Sequence, residues 1–128
     1  NQLKVISENT FNNLKKLEKL DLSENQFETI GFFNNLPKLK WLNLYKNNFK
    51  QIKKNTFESL TNLEYLYLSS NQIESIDENT FSSLVNLKML ILDFNNLKQI
   101  NTNMFANLIK LETISLKSNQ IESIEDNS

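Results

Sequence analysis

The chain reads as a stack of repeats, each 22 to 24 residues long and each carrying one short strand. Three observations predict this. The pattern L-x-x-L-x-L-x-x-N-x-(hydrophobic)-x-x-I starts at Leu17, Leu39, Leu63, Leu87 and Leu111. An asparagine recurs at one fixed position of the pattern, and a phenylalanine recurs further along at another. Self-similarity at such a period marks an array in which a unit buries its apolar face only by stacking on its neighbours.

Each element of the unit has its own reason. In L-x-L the apolar residues alternate with period two, which argues a short strand with leucines inward and the intervening residues outward. Three residues past the last strand leucine stand Asn1, Asn25, Asn47, Asn71, Asn95 and Asn119. A turn leaving a strand leaves backbone donors and acceptors inside the coil, and a carboxamide both donates and accepts. Asn25, Asn47, Asn71, Asn95 and Asn119 are therefore assigned to a buried structural ladder. Beyond it the pattern runs I-x-x-x-x-F-x-x-L, as in Ile76-DENT-Phe81-SS-Leu84. Phe11, Phe33, Phe57, Phe81 and Phe105 form a second column on the far side, where a larger side chain fills a wider arc. The unit starting at Leu17 is two residues shorter between Ile30 and Phe33, which predicts a tighter outer segment. The chain is read as one domain, 1–128: a partial repeat 1–16, repeats 17–38, 39–62, 63–86 and 87–110, and a partial repeat 111–128.

Charge alternates from repeat to repeat. One column reads Glu18, Lys40, Glu64, Lys88, Glu112, and a second reads Lys4, Glu28, Lys50, Glu74, Lys98, Glu122. With neighbouring strands about 4.8 Å apart, alternation sets opposite charges side by side, whereas a column of one sign would repel itself. These columns are read as register devices rather than as a docking stripe.

The remaining outward positions carry the functional signal. They are polar in the unit from Leu17 (Lys19, Asp21, Ser23, Glu24) and in the unit from Leu111 (Thr113, Ser115, Lys117, Ser118). The three units between them present Trp41, Tyr45, Tyr65, Tyr67, Met89, Ile91 and Phe94. The only tryptophan and all three tyrosines of the chain fall in this set. Strand propensity alone would scatter aromatics over every strand. Their clustering points to an exposed apolar patch of the kind that marks interaction sites, rich in the side chains enriched at hot spots. The seven residues are the candidate partner-binding set, with Lys19, Asp21, Glu24, Lys46, Asp93 and Lys117 as a polar rim.

Composition removes several function classes. All 14 basic residues are lysine, against 15 acidic residues, for a net charge of −1. Without arginine there is no bidentate fork for phosphate or guanine, so no nucleic-acid partner is expected. There is no cysteine for a disulfide or a thiolate site, no histidine to serve as a general base, and no glycine-rich phosphate loop. The acidic neighbours Asp77–Glu78 and Glu125–Asp126 are read as solvated loop charges. No catalytic residue, cofactor or metal is assigned. No apolar run is long enough to span a bilayer, and no direct membrane contact is expected of this segment.

The repeated L-x-x-L-x-L-x-x-N motif resembles the leucine-rich repeat family, in its 24-residue form found in animal extracellular proteins such as Toll-type receptor ectodomains and secreted immune proteins. The resemblance covers essentially the whole chain. It implies an α/β repeat fold: a right-handed solenoid with a parallel sheet on the concave face and irregular or short helical segments on the convex one. It implies a non-catalytic module that recognises a protein partner, extracellular or at the cell surface, in innate immunity or cell-surface recognition. A glycan on the aromatic face stays open. The cysteine-bearing caps usual in such proteins are missing, so the chain is expected to be a segment of a longer array whose uncapped ends permit self-association. The other reading is a structural spacer or self-assembly segment.

Overall fold

A computed structural model describes residues 2–7, 9–31 and 33–126. Five short strands, β1 (Lys19–Asp21), β2 (Trp41–Asn43), β4 (Tyr65–Tyr67), β6 (Met89–Ile91) and β8 (Thr113–Ser115), form one parallel sheet in the order β1-β2-β4-β6-β8. Register follows the repeat, with Leu20, Leu42, Leu66, Leu90 and Ile114 aligned from strand to strand. Two smaller parallel sheets lie on the convex side: β3 (Gln51–Ile52) with β5 (Ser75–Ile76), and β7 (Gln99–Asn101) with β9 (Ser123–Glu125). A single 3-10 turn spans Thr102–Phe105. The expected helical segments are thus limited, among the described residues, to this one turn, and the convex strands are an addition to the expected fold.

The core is the set of inward leucines, the phenylalanine column and the hydrophobic position after the ladder asparagine (Phe27, Phe49, Ile73, Leu97). Leu63, Leu66, Leu68, Leu87 and Leu90 are fully buried, as are Phe57 and Phe81. Full burial of a leucine or phenylalanine contributes about 1.5–3 kcal/mol, so the repeated positions supply the driving force for stacking. The phenylalanine column is present. Phe11, Phe33, Phe57, Phe81 and Phe105 stack in sequence, with centroids 6.3, 6.3, 6.1 and 6.3 Å apart. Phe105 is only half-buried, and Met104 beside it turns inward instead. Where the convex turn precedes a phenylalanine, Asn55 and Asn79 adopt positive φ (68° and 62°). The next residue, Thr56 or Thr80, closes the turn by donating its hydroxyl to the Lys53 or Asp77 carbonyl at 2.7 Å. The shortened outer segment of the 17–38 repeat includes Phe32, which lies outside the described residues, as does Asn1 of the ladder.

The asparagine ladder forms as the spacing requires. Asn71 is buried; its Oδ1 accepts from the backbone N–H groups of Asn47 and Phe49 at 3.2 and 3.3 Å. Its Nδ2 donates to the carbonyls of Leu44, Leu68 and Ser69 at 3.0, 3.0 and 3.2 Å. Asn47 and Asn95 repeat the arrangement, serving Phe27 and Ile73 of the preceding coils. Asn25 and Asn119, at the two ends, make the same kinds of bond from half-buried positions.

The charge columns are realised only in part. Glu18 pairs with Lys40 at 3.4 Å and Glu64 with Lys88 at 2.7 Å. No ion pair forms in the second column among the described residues, although the Glu74 and Glu122 amides bond the Lys50 and Lys98 carbonyls at 2.9 and 2.8 Å; these side chains are all exposed to water. A pair that the columns do not include, Glu24 with Lys46 at 3.2 Å, bridges the turns after β1 and β2. Asp77 and Glu125 are not merely solvated. Asp77 accepts from the Gln51 side chain and the Lys54 backbone N–H at 3.0 and 3.1 Å, and Glu125 accepts from the Gln99 side chain.

Candidate functional site

The centre of the concave sheet carries the aromatic residues in two columns. Register places Trp41 beside Tyr65 and Tyr65 beside Met89. The neighbouring column runs Asn43, Tyr67, Ile91. All of these are half-buried, because they cover one another. The Trp41 and Tyr67 rings, diagonal neighbours, meet at 5.6 Å between centroids with a 51° tilt, a geometry aromatic pairs favour. Lys19 Nζ sits 4.3 Å from the Trp41 ring centroid, so a rim lysine caps the tryptophan by a cation–π contact. On the other side the Tyr67 hydroxyl reaches Met89 Sδ at 3.5 Å. The result is a continuous surface rather than a set of separate projecting rings.

Tyr45 and Phe94 are placed differently from the sequence expectation. The sequence places them among the outward strand positions, but β2 ends two residues before Tyr45 and β6 ends three residues before Phe94, so both lie in the turn that follows. Asn43 Oδ1 accepts the Tyr45 backbone N–H at 3.0 Å and so fixes the turn that presents this ring. The turn also explains a feature that the sequence reading missed. The residue before each ladder asparagine is left-handed: Glu24, Lys46, Ser70, Phe94 and Ser118 have φ between 54° and 56°. A side chain there costs about 1–2 kcal/mol, and bulky residues suit it least. Phe94 adopts this conformation while leaving 61% of its surface exposed. Folding therefore gives no reason for a phenylalanine at this position. Phe94→Asn is expected to stabilise the fold by about 1 kcal/mol, since asparagine tolerates the left-handed region. Urea unfolding checks this, and a loss of stability would show that the ring packs after all.

The rim is electrostatically ordered. Partial burial pushes the Asp21 carboxyl up, but hydrogen bonds from the Ser23 hydroxyl and amide, a bond from Asn43 and the charge of Lys19 outweigh it. The net pKa lies below the ordinary 3.8. The hydrogen bond from Lys88 lowers Glu64 below its ordinary 4.5, and the same bond raises Lys88 above 10.5. Lowered carboxylates stabilise the fold above their unfolded values and lose that contribution as pH falls through the folded ones. A raised lysine contributes fully below its unfolded value and loses it as pH rises through the folded one. Stability is therefore expected to hold between about pH 4.5 and 10.5 and to decline on both sides. Glu64→Gln should flatten part of both limbs, by a small amount because water screens this exposed pair. Melting curves across the pH range provide the measurement.

The comparisons with known proteins agree with the repeat fold. Over 98% of its length the chain superposes on the crystal structure of the leucine-rich repeat domain of APL1B, with a TM-score of 0.83 and 25% identity. It matches the Toll–Spatzle complex of Drosophila over 92% of its length (TM-score 0.84, 26% identity). It matches TLR13, solved as a complex with ssRNA13, over 93% (TM-score 0.71, 30% identity). The chain spans 35%, 16% and 20% of those three chains, respectively. No curated protein matches it. No helix among the described residues is long and apolar enough to cross a membrane. The model of the leucine rich repeat matches residues 1–49, 37–97 and 85–128, and so, with the parallel sheet and asparagine ladder in place, the chain belongs to the leucine-rich repeat family.

Proposed function

We propose that the chain is a non-catalytic recognition module and that a partner protein docks on its concave face over Trp41, Tyr45, Tyr65, Tyr67, Met89, Ile91 and Phe94. The observation that carries this reading is the confinement of these side chains to three adjacent repeats between polar ones. The family is typically a non-enzymatic recognition module. The similar structures include one protein–protein complex, Toll with Spatzle, and one protein–RNA complex, TLR13 with ssRNA13. For this chain a protein is favoured over RNA, because it has no arginine and a net charge of −1. Similarity to Toll-type receptors also supports an extracellular or cell-surface setting and a role in innate immunity.

A second reading is a structural spacer or self-assembly segment of a larger leucine-rich repeat protein. Light scattering of the chain discriminates between the two. If variants of the concave face bind like the parent while an outer-loop variant such as Lys53→Ala or Glu78→Ala fails, the concave assignment is wrong.

A further inference from the structure

The repeats are not equivalent on the convex side. They are joined in pairs, and the cause is legible in the residues. At one convex position the sequence alternates Gln51, Ser75, Gln99, Ser123; two residues on, the first and third give way to Lys53 and Asn101, while Asp77 and Glu125 follow the serines. A glutamine is long enough to reach the next coil, and its acceptor there is Asp77 or Glu125. A serine is too short to make the same reach, and the coil after it offers no carboxylate. Backbone bonding follows the same rhythm. Glu74 N–H donates to the Lys50 carbonyl and Asp77 N–H to the Ile52 carbonyl, both at 2.9 Å. Glu122 N–H donates to the Lys98 carbonyl at 2.8 Å. Among the described residues no strand pairing joins β5 to β7, and a groove runs there between Glu74–Ile76 and Lys98–Gln99. An equivalent groove separates Glu28–Ile30 from Lys50–Gln51.

The concave side, by contrast, is continuous across the same place. Between β4 and β6, Leu68 N–H donates to Ile91 and Ser70 N–H to Asp93, both at 2.9 Å, and the Glu64–Lys88 pair closes at 2.7 Å. The outer side still holds contacts at this junction: Phe81 stacks on Phe105 at 6.3 Å, Asn107 Nδ2 donates to the Ser82 carbonyl at 3.3 Å and Lys110 Nζ donates to Asn86 Oδ1 at 2.7 Å. It lacks the strand pairing and the glutamine–carboxylate bond of the joined pairs, so bending is easiest there, about the continuous concave sheet. This junction also divides the candidate patch. Trp41, Tyr45, Tyr65 and Tyr67 belong to the 39–86 pair, whereas Met89, Ile91 and Phe94 belong to the coils after it. The Tyr67–Met89 contact spans the two halves.

We propose that this junction is a hinge, flexing about the concave sheet, and that it makes the patch a pair of jaws whose closure on a partner regulates binding. The jaw function rests on the reading of the patch as a binding surface; the hinge itself does not. The chain contains no cysteine, so introduced thiols can be spin-labelled without background. Thr61, Val85 and Ile109 are exposed at equivalent positions of successive repeats. The inter-spin distance distribution of Val85→Cys/Ile109→Cys, across the junction, should be about twice as wide as that of Thr61→Cys/Val85→Cys, within a pair. Adding Ser75→Gln and Asn101→Asp supplies the missing donor and acceptor, and should narrow the wide distribution to the within-pair width. Equal widths in the two parent pairs overturn the hinge, and so does a distribution that stays wide after the paired substitution; neither result touches the patch. Full binding by Trp41→Ala and Tyr67→Ala would instead remove the patch and the jaws while leaving the hinge standing.

Discussion

Asn71→Leu lowers the melting temperature by roughly 10 °C, an expected loss of at least about 3 kcal/mol. Leucine has the same number and branching of side-chain heavy atoms as asparagine and is the larger of the two, so the cost is not a cavity. It arises because the Asn47 and Phe49 amides lose their acceptor, and the carbonyls of Leu44, Leu68 and Ser69 lose a donor, inside a coil that water does not reach. Each buried group left unpaired costs about 1–3 kcal/mol, and relaxation recovers only part of the sum. Asn119→Leu should cost less, because this carboxamide is half-buried and water can replace some of its bonds. Calorimetric melting of both variants supplies the comparison. A melting temperature for Asn71→Leu within error of the parent would remove the ladder as a source of stability.

Truncation of the concave aromatics should separate binding from folding. Trp41→Ala and Tyr67→Ala are each expected to weaken the partner complex by about 2 kcal/mol or more, roughly thirtyfold, the scale of a central hot spot. Both rings are half-buried and outside the leucine core, so the variants should remain folded. Some stability is still lost, about 1 kcal/mol, because the two rings pack on each other at 5.6 Å. For the same reason the double variant should lose less than the sum of the singles. Lys53→Ala and Glu78→Ala, on exposed outer loops, should bind within about twofold of the parent. Titration with circular dichroism as the folding control decides the matter. Unfolding of Trp41→Ala would mean that the patch belongs to the structural framework rather than to an interface.

The sheet, the asparagine ladder and the phenylalanine column were legible because each rests on one residue type at one spacing. What was not legible depended on geometry between repeats. The convex strands arise where Gln51 and Gln99 reach Asp77 and Glu125, a match that only the three-dimensional offset of neighbouring coils reveals. The second charge column forms no ion pair for another reason: even where its backbones bond from coil to coil, its side chains are exposed and water screens them. At the candidate site, the columns Trp41-Tyr65-Met89 and Asn43-Tyr67-Ile91 follow directly from register. The places of Tyr45 and Phe94 do not, because alternation stops where the strand stops. A five-residue recurrence of positive φ ahead of the ladder asparagine carries no sequence signature, since glutamate, lysine, serine and phenylalanine all occupy it.

The asparagine ladder also has a direction in time. Each carboxamide oxygen serves an amide of the coil before it: Asn25 serves Leu3, Asn47 serves Phe27, Asn71 serves Phe49, Asn95 serves Ile73 and Asn119 serves Leu97. A coil therefore cannot complete its own polar interior; its successor completes it. During synthesis from the N-terminus, each turn of the solenoid must wait for the next asparagine to leave the ribosome before its buried amides are answered. Folding is then expected to trail the emerging chain by at least one repeat, with the newest coil the loosest, as in masonry in which every course is set by the one laid on top of it.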